Sequence, residues 1–303
     1  MKAIVFEEFG GPEVLRLGEA EEPHAGPGQV RVKVKAAAVN PVDYKIRYGW
    51  MQEVFPTPLP AIPGQEFAGI VDEVGEGVTA AAVGDEVLGW ATTGAYAQYA
   101  LAESFVPKPA GLDWAEAAAL PVATETAQRV LDLLGVRAGE TLLVHGATGS
   151  VGAAATQLAV AAGATVIGTA SPARHDYLRE LGATPVAYGD GLVARVHEAA
   201  PQGVDAVFDT AGKGALPDSI ELRGGSTDRI ITIADPEAAA HGVTFSAGMA
   251  EAPEIALAEH VRMALNGKLR IPVAEVFPLE EAAKAQALSE TGHARGKLVV
   301  TPS

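Results

Sequence analysis

The sequence predicts an α/β protein in two parts, a small bent all-β unit and a doubly wound parallel sheet flanked by helices. Three observations carry this. Short β-rich runs broken by glycine at close intervals fill the amino-terminal third of the chain, the pattern of a strongly curved barrel. From Thr141 onward strand-like and helix-like stretches alternate, which requires parallel strands joined by right-handed crossovers. At the start of that alternation stands Thr-Leu-Leu-Val-His-Gly-Ala-Thr-Gly-Ser-Val-Gly, residues 141–152, a buried strand turning through glycines into a helix.

In chain order, Lys2 to Phe6 reads as a strand and Gly10-Gly11-Pro12 as a turn. Residues 30–36, Val-Arg-Val-Lys-Val-Lys-Ala, alternate apolar and basic with period two, a strand with one face in a core. Asn40 and Pro41 open a helical pattern through Arg47, and the four prolines between Gln52 and Pro63 make that span an extended loop. Runs at 64–75, 83–89, 96–100 and 105–107 complete the β unit. Helices follow from Trp114 to Leu120, where Pro121 breaks the pattern, and from Thr124 to Leu134. Beyond Thr141–Val144 and the helix Ser150–Ala162, strands are expected at 165–169, 185–188, 206–209, 230–234 and 243–246, with a helix from about Arg174 to Leu181 and another from Glu254 to Asn266. The tail carries a strand at 273–277, a helix from Leu279 to Glu290 and a last strand at 297–301.

A chain of 303 residues, 48% hydrophobic and 20% charged, has the composition of about two globular domains. Its net charge of -16 opposes binding to nucleic acid or anionic membranes. There is no cysteine, so disulfides, thiol nucleophiles and thiolate metal sites are excluded. No apolar run approaches the ~20 residues that span a bilayer, and the amino terminus lacks a signal peptide's apolar core, so the expected location is the cytoplasm.

Gly146, Gly149 and Gly152 let the backbone leave the strand sharply, approach a pyrophosphate and pack the helix on its sheet. The first-turn amides of Gly149, Ser150 and Val151 then face the anion. About 20 residues beyond the glycines, where an NAD site carries an acid for the ribose 2′-hydroxyl, the chain reads Thr-Ala-Ser-Pro-Ala-Arg-His, residues 169–175. Arg174 and Ser171 favour a 2′-phosphate there, and therefore NADPH over NADH. Ser171 also suits the cap of the helix that follows, with Arg174 then solvated.

These features join others into a family pattern: Val39-Asn40-Pro41-Val42-Asp43, the run from Pro63 to Val71, Val83-Gly84-Asp85-Glu86-Val87, Leu120-Pro121 with Thr126-Ala127, residues 145–152, Leu181-Gly182-Ala183, residues 205–209, and the close from Gly292 to Val299. The chain resembles the medium-chain dehydrogenase/reductase superfamily, in its zinc-free quinone oxidoreductase branch related to zeta-crystallin. The resemblance implies a GroES-like β-barrel catalytic domain over residues 1–122 and 267–303, with a Rossmann NADPH-binding domain over 123–266. Zinc-dependent relatives place a cysteine near Asn40 and a histidine where Gln65 stands. Neutral amides at these positions do not supply zinc's ligand set, so no metal is expected. What remains is hydride transfer from NADPH to a small-molecule acceptor, a quinone or an α,β-unsaturated carbonyl.

The resemblance also implies roles. Asn40 either hydrogen-bonds the nicotinamide carboxamide or the substrate oxygen, or caps its helix. Tyr44 either donates a proton to a developing enolate or packs, and Thr126 either contacts the nicotinamide or bonds within its helix. Ser171, Arg174 and Tyr188 match the 2′-phosphate pocket. Thr210 with Ala211, and Ile233 with Ala234, line the cofactor at the carboxyl ends of their strands. His145 is read as a packed or capping residue and Glu66 as structural. A homodimer through the edge strand near Val243 is the family expectation. Two alternatives stand beside the reductase: a non-catalytic NADPH-binding protein of the zeta-crystallin kind, and an enoyl-thioester reductase, for which no basic docking patch is evident.

Overall fold

The computed structural model describes residues 1–302. Its elements in chain order are β1 (Lys2–Val5), β2 (Arg16–Glu19), β3 (Val30–Val39), α1 (Pro41–Arg47), β4 (Glu66–Val74), β5 (Glu86–Trp90), β6 (Tyr99–Ala102), β7 (Phe105–Pro107), α2 (Trp114–Ala118) and α3 (Pro121–Leu134). There follow β8 (Thr141–His145), α4 (Ser150–Ala161), β9 (Thr165–Ala170), α5 (His175–Glu180), β10 (Thr184–Ala187), α6 (Leu192–Ala199), β11 (Ala206–Asp209), α7 (Leu216–Leu222), β12 (Ile230–Thr232), β13 (Thr244–Phe245), α8 (Pro253–Leu265), β14 (Val273–Pro278), α9 (Ala282–Glu290) and β15 (Lys297–Thr301).

Two compact units result. The first comprises Met1–Val122, Glu251–Gly267 and residues 271–302. The second comprises Ala123–Ala250 with Lys268–Arg270. The helix α8 lies in the first unit, packed on β7 with Leu265 against Gly111, whereas the sequence assigned residues 251–266 to the nucleotide domain. Alternation of strands and helices cannot reveal that a helix leaves its sheet.

In the first unit, seven strands form a bent sheet in the order β14-β15-β3-β4-β5-β7, with β6 also on β3. The ten-residue β3 makes the bend: β4 runs along one side, while β6 takes Val30–Lys33 and β15 takes Ala37–Val39 on the other. Its period-two burial gives way to four buried residues at Ala36–Val39, and α2 packs on this strand. The core joins Ile4, Phe6, Val32, Val34, Phe67, Val71 and Tyr96 to Phe277, Leu279 and Leu298, so the tail completes the barrel-like unit.

The second unit is a six-stranded, all-parallel sheet in the order β10-β9-β8-β11-β12-β13. Strand order reverses between β8 and β11, and ligands of such sheets bind in the crevice outside the carboxyl ends there. Both faces are covered, so β8 is buried throughout, with Leu143, Ile167, Val207, Leu192, Val196, Leu216 and Ile230 in the core. This is the expected GroES-like unit plus Rossmann sheet. Local bounds differ: the alanine-rich helix ends at Ala118, Pro121 begins the next helix, and Tyr188 lies past the end of β10. Proline lacks only an amide that a first helical turn does not use, which is why it starts α3 as readily as it ends a pattern.

Candidate active site

Strand β8 ends at His145 and α4 begins at Ser150, so Gly146 to Gly149 make the turn. Gly146 has φ 68°, a left-handed conformation costly for other residues. At Gly152 a Cβ would lie 2.3 Å from the Gly146 oxygen, so the helix approaches the turn closely only because no side chain is present. Gly149 is the N-cap and, among the described residues, no side chain caps the twelve-residue α4, which leaves the amide end bare toward Ser150 and Val151. A bare helix end in a glycine cradle fits a pyrophosphate.

The register pairs His145 with Asp209 and Asp209 with Thr232, so Thr210, Ala211, Ile233 and Ala234 share the carboxyl edge with Gly146. The Thr210 hydroxyl donates to the His145 oxygen at 2.7 Å. Buried Asp209 accepts from the Ala211 amide at 2.9 Å, the Gly212 amide at 3.1 Å and the Thr232 hydroxyl at 2.7 Å, fixing both loops. His145 is buried, shares a hydrogen bond with the Ser219 hydroxyl at 2.9 Å, and burial pushes its imidazole below the ordinary range. It is thereby neutral and packed within the sheet.

After β9, Ser171 does not cap with its side chain; a short 3-10 turn, Pro172–Arg174, precedes α5. The helix falls within one residue of its expected ends, but the expected side-chain cap from Ser171 is not made. The Arg174 guanidinium lies over the Tyr177 ring at 4.4 Å, and among the described residues no carboxylate is within ion-pair distance of it. The neighbouring His175 Nε2 and Tyr177 hydroxyl are buried without hydrogen-bond partners among the described residues. Tyr188 is 64% exposed beyond β10, and no side-chain bond joins it to Ser171 or Arg174 among the described residues.

In the first unit the register pairing Leu298 with Val39 brings Lys297, one step on, opposite Asn40. Glu66 begins the strand on the far side of β3. Lys297 Nζ donates to Asn40 Oδ1 and to Glu66 Oε1, each at 2.5 Å, and Asn40 Nδ2 donates to Glu66 Oε1 at 2.8 Å. The second Glu66 oxygen accepts the Val122 amide at 2.6 Å. All three side chains are buried, Lys297 2%, Asn40 5% and Glu66 0% exposed. Asn40 occupies the N-cap position of α1, yet its side chain serves this cluster; the reciprocal bond comes from Asp43, whose Oδ2 accepts the Asn40 amide at 2.8 Å. The same oxygen accepts the Tyr96 hydroxyl at 2.9 Å. Burial raises the Asp43 carboxyl to about 7 and lifts Tyr96 well above the usual phenol range.

A zinc ion does not fit between Asn40 and Glu66. An ammonium stands there already, and one amide and one carboxylate are not zinc's ligand set. Among the described residues no group of three or more His, Cys, Asp or Glu is arranged to hold a metal.

Of the remaining expected residues, Tyr44 is half-buried on α1, and burial raises its phenol. Thr126 is half-buried on α3, its hydroxyl 3.4 Å from Glu125 Oε2. Sequence reasoning assigned nothing to Lys297. The available signal was a lysine opening the apolar strand Lys-Leu-Val-Val, since a buried ammonium requires partners.

A nucleotide-type parallel sheet and a barrel-like unit completed by the chain's tail together define a two-unit dehydrogenase/reductase fold. Residues 26–110 match the alcohol dehydrogenase GroES-like domain, and residues 181–300 match a zinc-binding dehydrogenase domain. The chain is 35% identical over 326 residues to the quinone oxidoreductase of Lama guanicoe, covering 99% of this chain and 97% of that one. It is 33% identical over 320 residues to the chloroplastic NADPH-dependent alkenal/one oxidoreductase of Arabidopsis thaliana, covering 100% and 80%. The structure of the quinone oxidoreductase from Coxiella burnetii matches with a TM-score of 0.84 at 33% identity over 99% of both chains. The chain belongs to the medium-chain dehydrogenase/reductase superfamily, in its quinone oxidoreductase branch.

Proposed function

We propose that the protein is an NADPH-dependent oxidoreductase that transfers hydride, without zinc, to a quinone or an α,β-unsaturated carbonyl. The carrying observation is the carboxyl edge of the parallel sheet, where a glycine cradle opens on an uncapped helix and Arg174, not an acid, follows the second strand. Relatives named quinone oxidoreductase and NADPH-dependent alkenal/one oxidoreductase support the same reading.

When bound, NADPH supplies a hydride to an electron-poor carbon, and one proton completes reduction of the acceptor's oxygen or α-carbon. The backbone at Gly149, Ser150 and Val151 receives the pyrophosphate, with Gly146 and Gly152 giving it room. Arg174 and Ser171 bind the 2′-phosphate, with Tyr188 at the pocket's margin. Thr210, Ile233 and Ala234 line the nucleotide, and Thr126 orients the nicotinamide. Asn40 donates to the acceptor oxygen, and Tyr44, its phenol kept protonated by burial, is the candidate proton donor. The reading includes a cytoplasmic homodimer formed through the edge strand β13, whose Phe245 is exposed.

The test is steady-state oxidation of NADPH and NADH with 1,4-benzoquinone and with a short 2-alkenal, before and after treatment with a chelator. Turnover with a preference for NADPH, unchanged by the chelator, is expected. Tight NADPH binding without turnover over a broad acceptor panel refutes catalysis, and stoichiometric zinc in the purified protein refutes the metal-free part.

A further inference from the structure

We propose that Lys297 and Glu66 are positioning residues: they lock the Asn40 carboxamide so that it offers the hydride acceptor an N–H donor and not an oxygen. This rests on the oxidoreductase reading above and deepens it.

An asparagine side chain presents either face of its amide after a half-turn about its last bond, and ordinarily nothing in the residue itself decides which. Here both neighbours are one-way groups. A lysine ammonium only donates and a carboxylate only accepts, so the oxygen must face Lys297 and the nitrogen Glu66. The frame holding the amide is itself fixed. Glu66 is anchored through its other oxygen by the Val122 amide, Lys297 sits at the start of a paired strand, and the Asn40 backbone is held by Asp43. One N–H of Asn40 Nδ2 is left with no protein partner among the described residues, while the oxygen is drawn to the cation. A carbonyl acceptor gains negative charge on its oxygen as hydride arrives, and a preorganised donor stabilises that charge where an opposing lone pair would repel it.

The experiment uses the fact that the chain has two asparagines, Asn40 and the exposed Asn266. Protein labelled with 15N-asparagine therefore shows two side-chain amide pairs. In the wild type the Asn40 pair is expected to be shifted and protected from exchange, the Asn266 pair at ordinary positions and fast to exchange. Adding NADP+ with a non-reducible quinone analogue should move one Asn40 proton and leave its partner in place. In K297M the exchange protection of the Asn40 pair should be lost and kcat fall by tenfold or more, on the order of the loss from a displaced catalytic donor. KM for NADPH should stay within about twofold, and K297R should restore most of the rate and the protection. Because K297M leaves a carboxylate buried alone, E66Q/K297M, which removes both charges, is measured alongside and should show the same loss. Rapid exchange of the Asn40 pair in the wild type overturns the proposal, as do wild-type rates in the folded double variant. A wild type that reduces no acceptor while Asn40 remains protected refutes the oxidoreductase reading instead, and the donor role with it.

Discussion

The Asp43 carboxylate gives the sharpest stability prediction. It is 1% exposed, accepts two hydrogen bonds on Oδ2, and leaves Oδ1 without a partner among the described residues. Burial raises it from 3.8 to about 7. Between those values the folded protein holds a proton that the unfolded chain has released. The stabilising contribution is therefore complete below 3.8 and lost as pH rises through about 7. At 1.36 kcal/mol per unit the full loss is about 4 kcal/mol. Replacing the residue by asparagine removes the charge and keeps the shape. The amide oxygen takes the place of Oδ2 beneath Asn40 and Tyr96, and the amino group falls at the orphan Oδ1 position, where an unpaired donor costs about 1–3 kcal/mol. D43N should therefore be no more stable than the wild type near pH 4 and more stable by about 2 kcal/mol near pH 8, with a flatter pH dependence between. The three tryptophans, Trp50, Trp90 and Trp114, all lie in the first unit, so urea unfolding followed by their fluorescence reads the unit that contains Asp43. A variant destabilised at every pH, or one with the wild-type slope, would show that the two donated hydrogen bonds outweigh burial and that the carboxylate is ionised in the fold.

Other perturbations address the second unit. G152V drives a side chain into the Gly146 oxygen and Ala147, and should abolish NADPH binding, read as loss of coenzyme fluorescence enhancement. R174A removes the guanidinium proposed for the 2′-phosphate and should weaken NADPH by about tenfold to a hundredfold while leaving NADH unchanged, measured by calorimetry. The Glu140 carboxyl, held down to about 2 chiefly by its hydrogen bond from Arg229, stabilises the fold above 4.5, and this contribution is lost as pH falls toward 2. E140Q should erase that acid sensitivity and lower stability at neutral pH, followed by amide exchange in β8.

How much of this could be read beforehand depends on the distance along the chain over which each feature is decided. The glycine turn was legible because its physics is local: a strand, three glycines and a helix within a dozen residues fix the backbone without reference to anything else. The alternating valines and basic residues of β3 were legible for the same reason. Boundaries failed where a tertiary contact decided them. The two-residue β13 is shorter than the run expected from Val243 to Ser246, and α8 belongs to the other unit, with Leu257 and Val261 buried.

The cluster around Asn40 is the extreme case. Its members are 26 and 257 residues from Asn40, and only the sheet order β15-β3-β4 brings them together. Composition still left a trace. Lys297 is buried at the head of the apolar run Leu298–Val300, and an ammonium in such a place is stable only with partners that the sequence does not locate. Glu66, read from sequence as structural, is the complementary half of the same anomaly, a fully buried carboxylate beside Phe67 and Ala68. Two opposite charges in apolar strands imply a pair; that the pair grips an asparagine follows only from the antiparallel register of Val39 with Leu298. A fold that spends two buried charges on one amide gains little stability from them, because desolvation offsets most of their attraction. What the ion pair adds is orientation, and orientation matters to an amide only where something binds to it.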